Sequence, residues 1–291
     1  MEQLRGGCMS ERIKVIIYRW LQKQHWKRAA NGLRHKVTRH CQKTSINPGT
    51  IVILIPHADD EWVGCSQLIM KQPDNILLFN MNMDGGDSCD LHALRYNELK
   101  QVAKKYNLPL TTAGLEDYSK VSKIEEIILQ EKPSYIAVPF YYDWHAEHVM
   151  TMRFLKAALE SINKSNEELV ASIKILMYQV SVPVPDEMVT NCLPMNKELH
   201  LEKWSIFDTI YKTQSGVPWF RFQCNERING ALCNAYAAEV YVCKKAIVWL
   251  EELPSAVLND EETKKVLSNL QDLYMVRKEV NSIKEHRASI K

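Results

Sequence analysis

The sequence has no C-x-x-C pair among its eight cysteines, which argues against a disulfide framework and for free thiols in a reducing cytoplasm. It also lacks the ~18 consecutive apolar residues that a membrane-spanning helix requires. The opening M-E-Q-L-R-G-G-C carries no apolar core of a secretory signal, because Arg12, Lys14 and Arg19 interrupt the only candidate stretch. No G-x-G-x-x-G follows the first strand-like run, so a dinucleotide cofactor is not indicated. What remains is a cytoplasmic protein, membrane-associated at most through its surface.

Charge appears instead at the place where a dinucleotide motif would sit. Residues 51–61 read I-V-I-L-I-P-H-A-D-D-E, an apolar run that breaks at Pro56 and delivers one imidazole and three carboxylates. Five β-favouring residues suit a buried parallel strand, and side chains just past its carboxyl end face the crevice where open α/β sheets bind ligands. His57 and Asp60 are three apart, so a helix beginning at Asp60 can turn both toward one point. A catalytic divalent metal takes imidazole nitrogen and carboxylate oxygen from three protein groups and leaves a position for water.

A second cluster can supply the third group. Residues 141–148 read Y-Y-D-W-H-A-E-H and directly follow the apolar run at 135–140, with His145 and His148 again three apart. Each cluster alone has an ordinary reading, as a surface histidine pair or as carboxylates meeting the positive end of a helix dipole. Two such clusters at two strand ends point jointly to metal.

The pair P-H-A-D-D-E and D-W-H-A-E-H resembles the two signature motifs of the PIG-L/LmbE family of metal-dependent N-acetylglucosaminyl deacetylases. The likeness extends over residues 48–245. It takes in D-G-G-D at 84–87, L-R-Y-N-E-L-K at 94–100, K-W-S-I-F-D-T-I-Y-K-T-Q at 203–214 and A-E-V-Y at 238–241. The resemblance implies that His57, Asp60 and His148 are metal ligands, Asp59 is the general base and His145 is a second, unligated catalytic histidine. It implies a zinc ion, with iron(II) sharing the same ligand types, and hydrolysis of the acetamide of an N-acetylated amino sugar. Two imidazoles and one carboxylate lower the pKa of a zinc-bound water toward ~7, which is chemically consistent with that assignment. In this reading a protonated His145 meets the developing oxyanion. A catalytically inactive glycan-binding module with the same fold is the alternative, and an intact Asp59 argues against it.

The chain departs from the family pattern at Ala58, where proline is usual, and at Ala146-Glu147, where Pro-Asp is usual. No ligand or base is lost. Glu147 is a candidate partner for a ligand histidine, and Asp143 is its candidate substitute. Arg95, Glu98 and Gly85 match family positions near the substrate, with an exposed helix ion pair and a simple turn as their plainer readings. Glu61 is expected to cap or orient the helix. Trp219, Phe220 and Phe222 are expected either to stack on a sugar or to fill core, and His92 and His200 to be structural.

The expected fold is α/β and Rossmann-like: a mostly parallel sheet flanked by helices, in a single domain with a basic N-terminal helical arm and C-terminal helices. Strand-like runs occur at Ile51–Ile55, Ile76–Asn80, Tyr135–Pro139 and 173–178, with helical periodicity at 62–71, 89–106, 121–131, 147–163 and 203–213. Residues 180–196, with three prolines, read as a long loop forming one wall of the pocket. The expected boundaries are an arm at 1–47, a deacetylase domain at 48–250 and a helical extension at 251–291.

Charge is unevenly spread. Residues 1–43 hold eleven Lys or Arg against two Glu, net +9, while the remainder holds 26 basic against 33 acidic residues, net −7. Residues 11–43 set Ile13, Ile16, Ile17, Trp20, Leu21 and Trp26 among the basic positions. Such a helix can lie on an anionic membrane surface, pack within the chain or in a homo-oligomer, or, least favoured, touch nucleic acid.

Overall fold

The protein is described by a computed structural model covering residues 3–83 and 89–290, with side chains described for 13–83 and 90–289. Its strands are β1 (Ile51–Ile55), β2 (Ile76–Asn80), β3 (Leu110–Thr112), β4 (Tyr135–Pro139), β5 (Lys174–Tyr178), β6 (Asn191–Met195) and β7 (Ala237–Lys245). The helices are α1 (Gln3–Arg34), α2 (Asp60–Lys71), α3 (Cys89–Tyr106), α4 (Asp117–Glu131), α5 (Ala146–Ser165) and α6 (Glu167–Ser172). They continue with α7 (Lys197–Ile210), α8 (Trp219–Gly230), α9 (Ala246–Ala256), α10 (Asp260–Asn269) and α11 (Leu273–Ile290).

The sheet runs in the order β3-β2-β1-β4-β5-β7-β6, parallel from β3 through β5, with β7 antiparallel to both of its neighbours. The five residues of β1 are all buried because helices cover both faces of the sheet. Ile51, Ile53 and Ile55 pack on the side of α2, α3 and α7, while Val52 and Leu54 pack on the side of α4, α5 and α9. This accounts for an unbroken apolar run where a half-exposed strand would alternate. The chain order reverses between β1, which pairs with β2, and β4, which pairs with β1 on its other side. In a doubly wound sheet that switch point opens a crevice at the strand carboxyl ends.

Two expectations need correction. Residues 180–196 are not a loop throughout, because β6 lies within them, paired to β7 along Asn191–Met195. As the last strand of the sheet it tolerates Pro194, whose missing N–H costs little at an edge. The helix expected at 203–213 begins at Lys197 instead, where the Asn196 side chain accepts a hydrogen bond from the Leu199 amide at 2.8 Å, and it gives way to a 3-10 turn at Lys212–Gln214.

The basic arm forms one continuous helix whose carboxyl-terminal half is docked. Trp26 and Ala30 are buried against Cys224, Ile228 and Leu273. The Trp26 indole donates to the Gln271 carbonyl at 2.6 Å, and the Arg34 guanidinium reaches the carbonyls of Arg227, Tyr236 and Ala235. Packing within the chain therefore holds for this half.

Candidate metal centre

The loop after β1 is tight and strained. Asp59, immediately before α2, has φ 130° and ψ −27°, a conformation that L-residues rarely adopt. Two side chains hold it there. The Asp59 amide donates to Glu61 Oε2 at 3.0 Å, and the Tyr211 hydroxyl donates to the other oxygen of Glu61. Glu61 thus fixes the loop, as its expected orienting role requires, and burial pushes its carboxyl up to about 7. Gly64 lets the first turn of α2 lie against the Tyr178 ring, since a Cβ there would sit 2.3 Å from it.

His57, Asp60 and His148 converge and form a group able to hold a metal ion. His57 Nδ1 lies 3.2 Å from His148 Nε2, Asp60 Oδ2 lies 3.1 Å from that same nitrogen, and Asp60 Oδ2 lies 3.4 Å from His57 Nδ1. Donors bonded to one tetrahedral zinc at ~2.0–2.1 Å stand ~3.3–3.4 Å apart, so the three edges of this triangle match the donor spacing of a single small cation. Burial alone would raise the Asp60 carboxyl, but His148 and His57 hold it well below the usual range. His148 moves the opposite way. Its burial is outweighed by Asp60 and Asp143, and its imidazolium is favoured. A divalent cation would take the place of that proton.

Asp143 braces the second cluster. Its Oδ2 stands 2.9 Å from His148 Nδ1, off the line of the N–H bond, and its Oδ1 accepts from the His145 amide at 3.1 Å. Glu147, 41% exposed, lies at the rim with its carboxylate 4.0 Å from His57 Nε2. It approaches the first histidine, across the cavity from its own helix neighbours. The His145 ring is stacked on Trp144 at 3.6 Å between centroids. Burial lowers the His145 pKa and the nearby His148 and His57 lower it further, while Asp143 and Asp60 oppose.

Asp59 stands beside the three donors. Burial drives its carboxyl well above the usual range, Asp60 and Glu61 push it further, and Arg95 and His148 oppose. The Gln214 amide approaches Asp59 Oδ1 at 3.5 Å. A cavity of about 290 Å³ opens onto these groups, lined also by Arg95, Glu147, Ser181, Trp219 and Phe222. Of the three aromatics singled out in the sequence, Trp219 and Phe222 face this cavity, while Phe220 packs with the cluster under α1. Glu98 does not line it. Its carboxylate accepts from the Thr213 amide at 2.8 Å and from the Thr213 hydroxyl at 2.5 Å, tying α3 to the turn that presents Gln214. Gly85 lies outside the described residues. His92 and His200 bond to Asn82 and Glu226 at 2.6 and 2.9 Å.

Sequence reasoning assigned no role to Tyr211 or Gln214, although both lie inside the quoted segment 203–214. Their signal was a helix with the wrong composition for a plain amphipathic element, ending in polar residues.

The fold and site define an open α/β sheet that carries, at its switch point, a His-Asp-His group able to hold a metal ion and a spare carboxylate. No family model matches the chain, and no curated protein matches it in sequence. Among solved structures, an N,N'-diacetylchitobiose deacetylase from Pyrococcus horikoshii, solved with an inhibitor, is similar over 75% of this chain and 91% of that one, at 16% identity and a TM-score of 0.56. The conserved protein TT1542 from Thermus thermophilus is similar over 67% of this chain and 94% of that one, at 15% identity and a TM-score of 0.53. At such identities the likeness is one of fold. The chain shares the fold of these two proteins.

Proposed function

We propose that the protein is a metal-dependent deacetylase that hydrolyses the acetamide of an N-acetylated amino sugar, releasing acetate and a free amine. The observation that carries this reading is the donor triangle of His57, Asp60 and His148, with the strained Asp59 carboxyl beside it but outside it. His57, Asp60 and His148 would hold zinc or iron(II), which supplies Lewis acidity toward the acetyl carbonyl and toward water.

The remaining work falls to the chain's own groups. Asp59, whose carboxyl pKa burial raises, takes a proton from the attacking water. His145, held through its backbone by Asp143, donates a ring N–H to the oxygen that gains charge as the tetrahedral species forms. When the C–N bond breaks, Asp59 returns its proton to the departing nitrogen, so acetate and amine leave with the protons balanced. Gln214 limits the swing of Asp59, and Arg95 moderates its charge. Trp219 and Phe222 offer ring faces to the sugar.

The deacetylase domain is taken as 48–250, with 1–47 and 251–291 as appended helical segments. Six free thiols among the described residues support a reducing, cytoplasmic setting. The test is amine release over a panel of N-acetylglucosamine conjugates, with zinc and iron(II) compared anaerobically on metal-stripped protein. Release of amine by the metal-loaded protein only is the expected result, and no release from any conjugate with either metal overturns the reading.

A further inference from the structure

Helix α1 carries two apolar stripes on opposite sides. On one side Trp26 is buried against the body, while Val15 and Tyr18, 49% and 65% exposed, line with Gln22 the mouth of a groove of about 580 Å³ that Pro218, Trp219 and Phe220 complete. Ile13, Ile16, Ile17, Trp20 and Leu21 recur at i, i+3, i+4, i+7 and i+8, about half a turn away from the first stripe. All five are more than half exposed, Ile16 the most at 66%. A soluble helix docked on its own domain has no need of this second stripe.

Basic residues flank the outward stripe. Lys27 stands to one side and Lys14 and Arg28 to the other, within a segment 1–43 whose net charge is +9. This arrangement selects the occupant. A second copy of the chain meeting this face would press two strongly cationic flanks together, whereas an anionic lipid surface neutralises them while the stripe enters the acyl boundary. No described helix is long and apolar enough to cross a membrane, so the contact is made in the plane of the surface.

We infer that α1 docks the protein on an anionic bilayer through Ile13, Ile16, Ile17, Trp20 and Leu21. The inward stripe then gains a meaning. The groove beneath α1 shares Val217 and Trp219 with the cavity at the metal centre, so the two adjoin. Docking itself does not depend on the deacetylase reading.

The test is co-sedimentation of the full chain with vesicles of phosphatidylcholine alone and of phosphatidylcholine mixed with phosphatidylserine, with Trp20 fluorescence as a second readout. The mixed vesicles are expected to retain the protein, less so as salt rises, with Trp20 emission shifting to the blue. The double substitution Ile16→Glu and Ile17→Glu should weaken retention by at least about tenfold while leaving the melting temperature and the turnover of a soluble conjugate unchanged. Failure to bind the mixed vesicles, or equal binding by the double variant, overturns the inference. So does a lipid-free dimer that the same double substitution dissociates, because the face then belongs to a second copy. Retention is read without substrate, so a failed deacetylase assay leaves it standing.

Discussion

Two buried clusters of charge meet α2, a front one at its amino end and a rear one along its length, and they are built to different ends. In the rear cluster, the Lys203 ammonium, itself 0% exposed, meets Glu226 and also Glu239 at 2.6 Å, and donates to the Val63 carbonyl at 2.7 Å. Glu226 further accepts from the Trp204 indole at 2.6 Å, and Glu239 from Ser66 at 2.6 Å and the Gln67 amide at 3.0 Å. Each carboxylate there is met by several donors, and both partners hold the Lys203 pKa above its usual value against burial. In the front cluster, Asp59, Asp60 and Glu61 crowd together, and burial and mutual repulsion leave Asp59 and Glu61 with raised pKa values. The rear cluster is satisfied by protein alone. The front cluster is not satisfied in this way, and beside it lies a His-Asp-His group able to take a cation.

The largest effect expected from this contrast is at the metal. His148→Ala should remove one corner of the donor triangle, with loss of bound metal by elemental analysis and turnover falling to background. Retained stoichiometric metal in that variant would break the comparison. Next comes Asp59→Asn, which should keep the metal while kcat drops by ~10²–10⁴-fold, and which should not destabilise the apoprotein because it removes one of three crowded carboxylates.

Lys203→Met reverses that pattern. It strands two buried carboxylates and should cost about 3–5 kcal/mol in urea unfolding, with the metal affinity of the folded fraction unchanged. If it lowered kcat with stability intact, the two clusters would be one functional unit.

The smallest effect is a pH dependence of the metal-free protein. Glu61 has a folded pKa of about 7, above its ordinary value of 4.5, so the folded state binds its proton more tightly than the unfolded chain does. Its contribution is therefore fully present below 4.5 and is lost as pH rises through about 7, a change on the order of 3 kcal/mol. His148, also raised, acts in the same sense, present below its unfolded value and lost as pH climbs through its folded one. Apoprotein melting temperature should fall from pH 5 to pH 8, and Glu61→Gln should flatten the lower part of that slope. A rising curve would contradict the assignment.

The same contrast explains what the sequence could disclose. The metal donors come from two short segments, each set by one strand end, and β1 and β4 are recognisable because burial on both faces demands unbroken apolar runs. The rear cluster is assembled from Lys203, Glu226 and Glu239 on three separate elements, α7, α8 and β7; the segments quoted at 203–214 and 238–241 contain two of them, but nothing in either says that they meet. Glu239, 3% exposed inside a strand, makes β7 look more polar than it is. β6 was missed for a related reason, since an edge strand carrying Asn191 and Pro194 has the composition of a loop. Within the site, Glu61 was read as an orienting residue, but its partner Tyr211 is 150 positions away, and only the folded chain brings them together.

The conformation of Asp59 bears on the history of the protein. A non-glycine residue with φ of 130° costs on the order of 1–3 kcal/mol, and glycine would occupy the position without that penalty. Drift in a lineage freed from selection for chemistry should therefore run downhill toward glycine at 59 before any donor residue is exchanged. A chain that still carries aspartate there keeps a costly residue where a cheaper one fits, as the role proposed for its carboxylate would require.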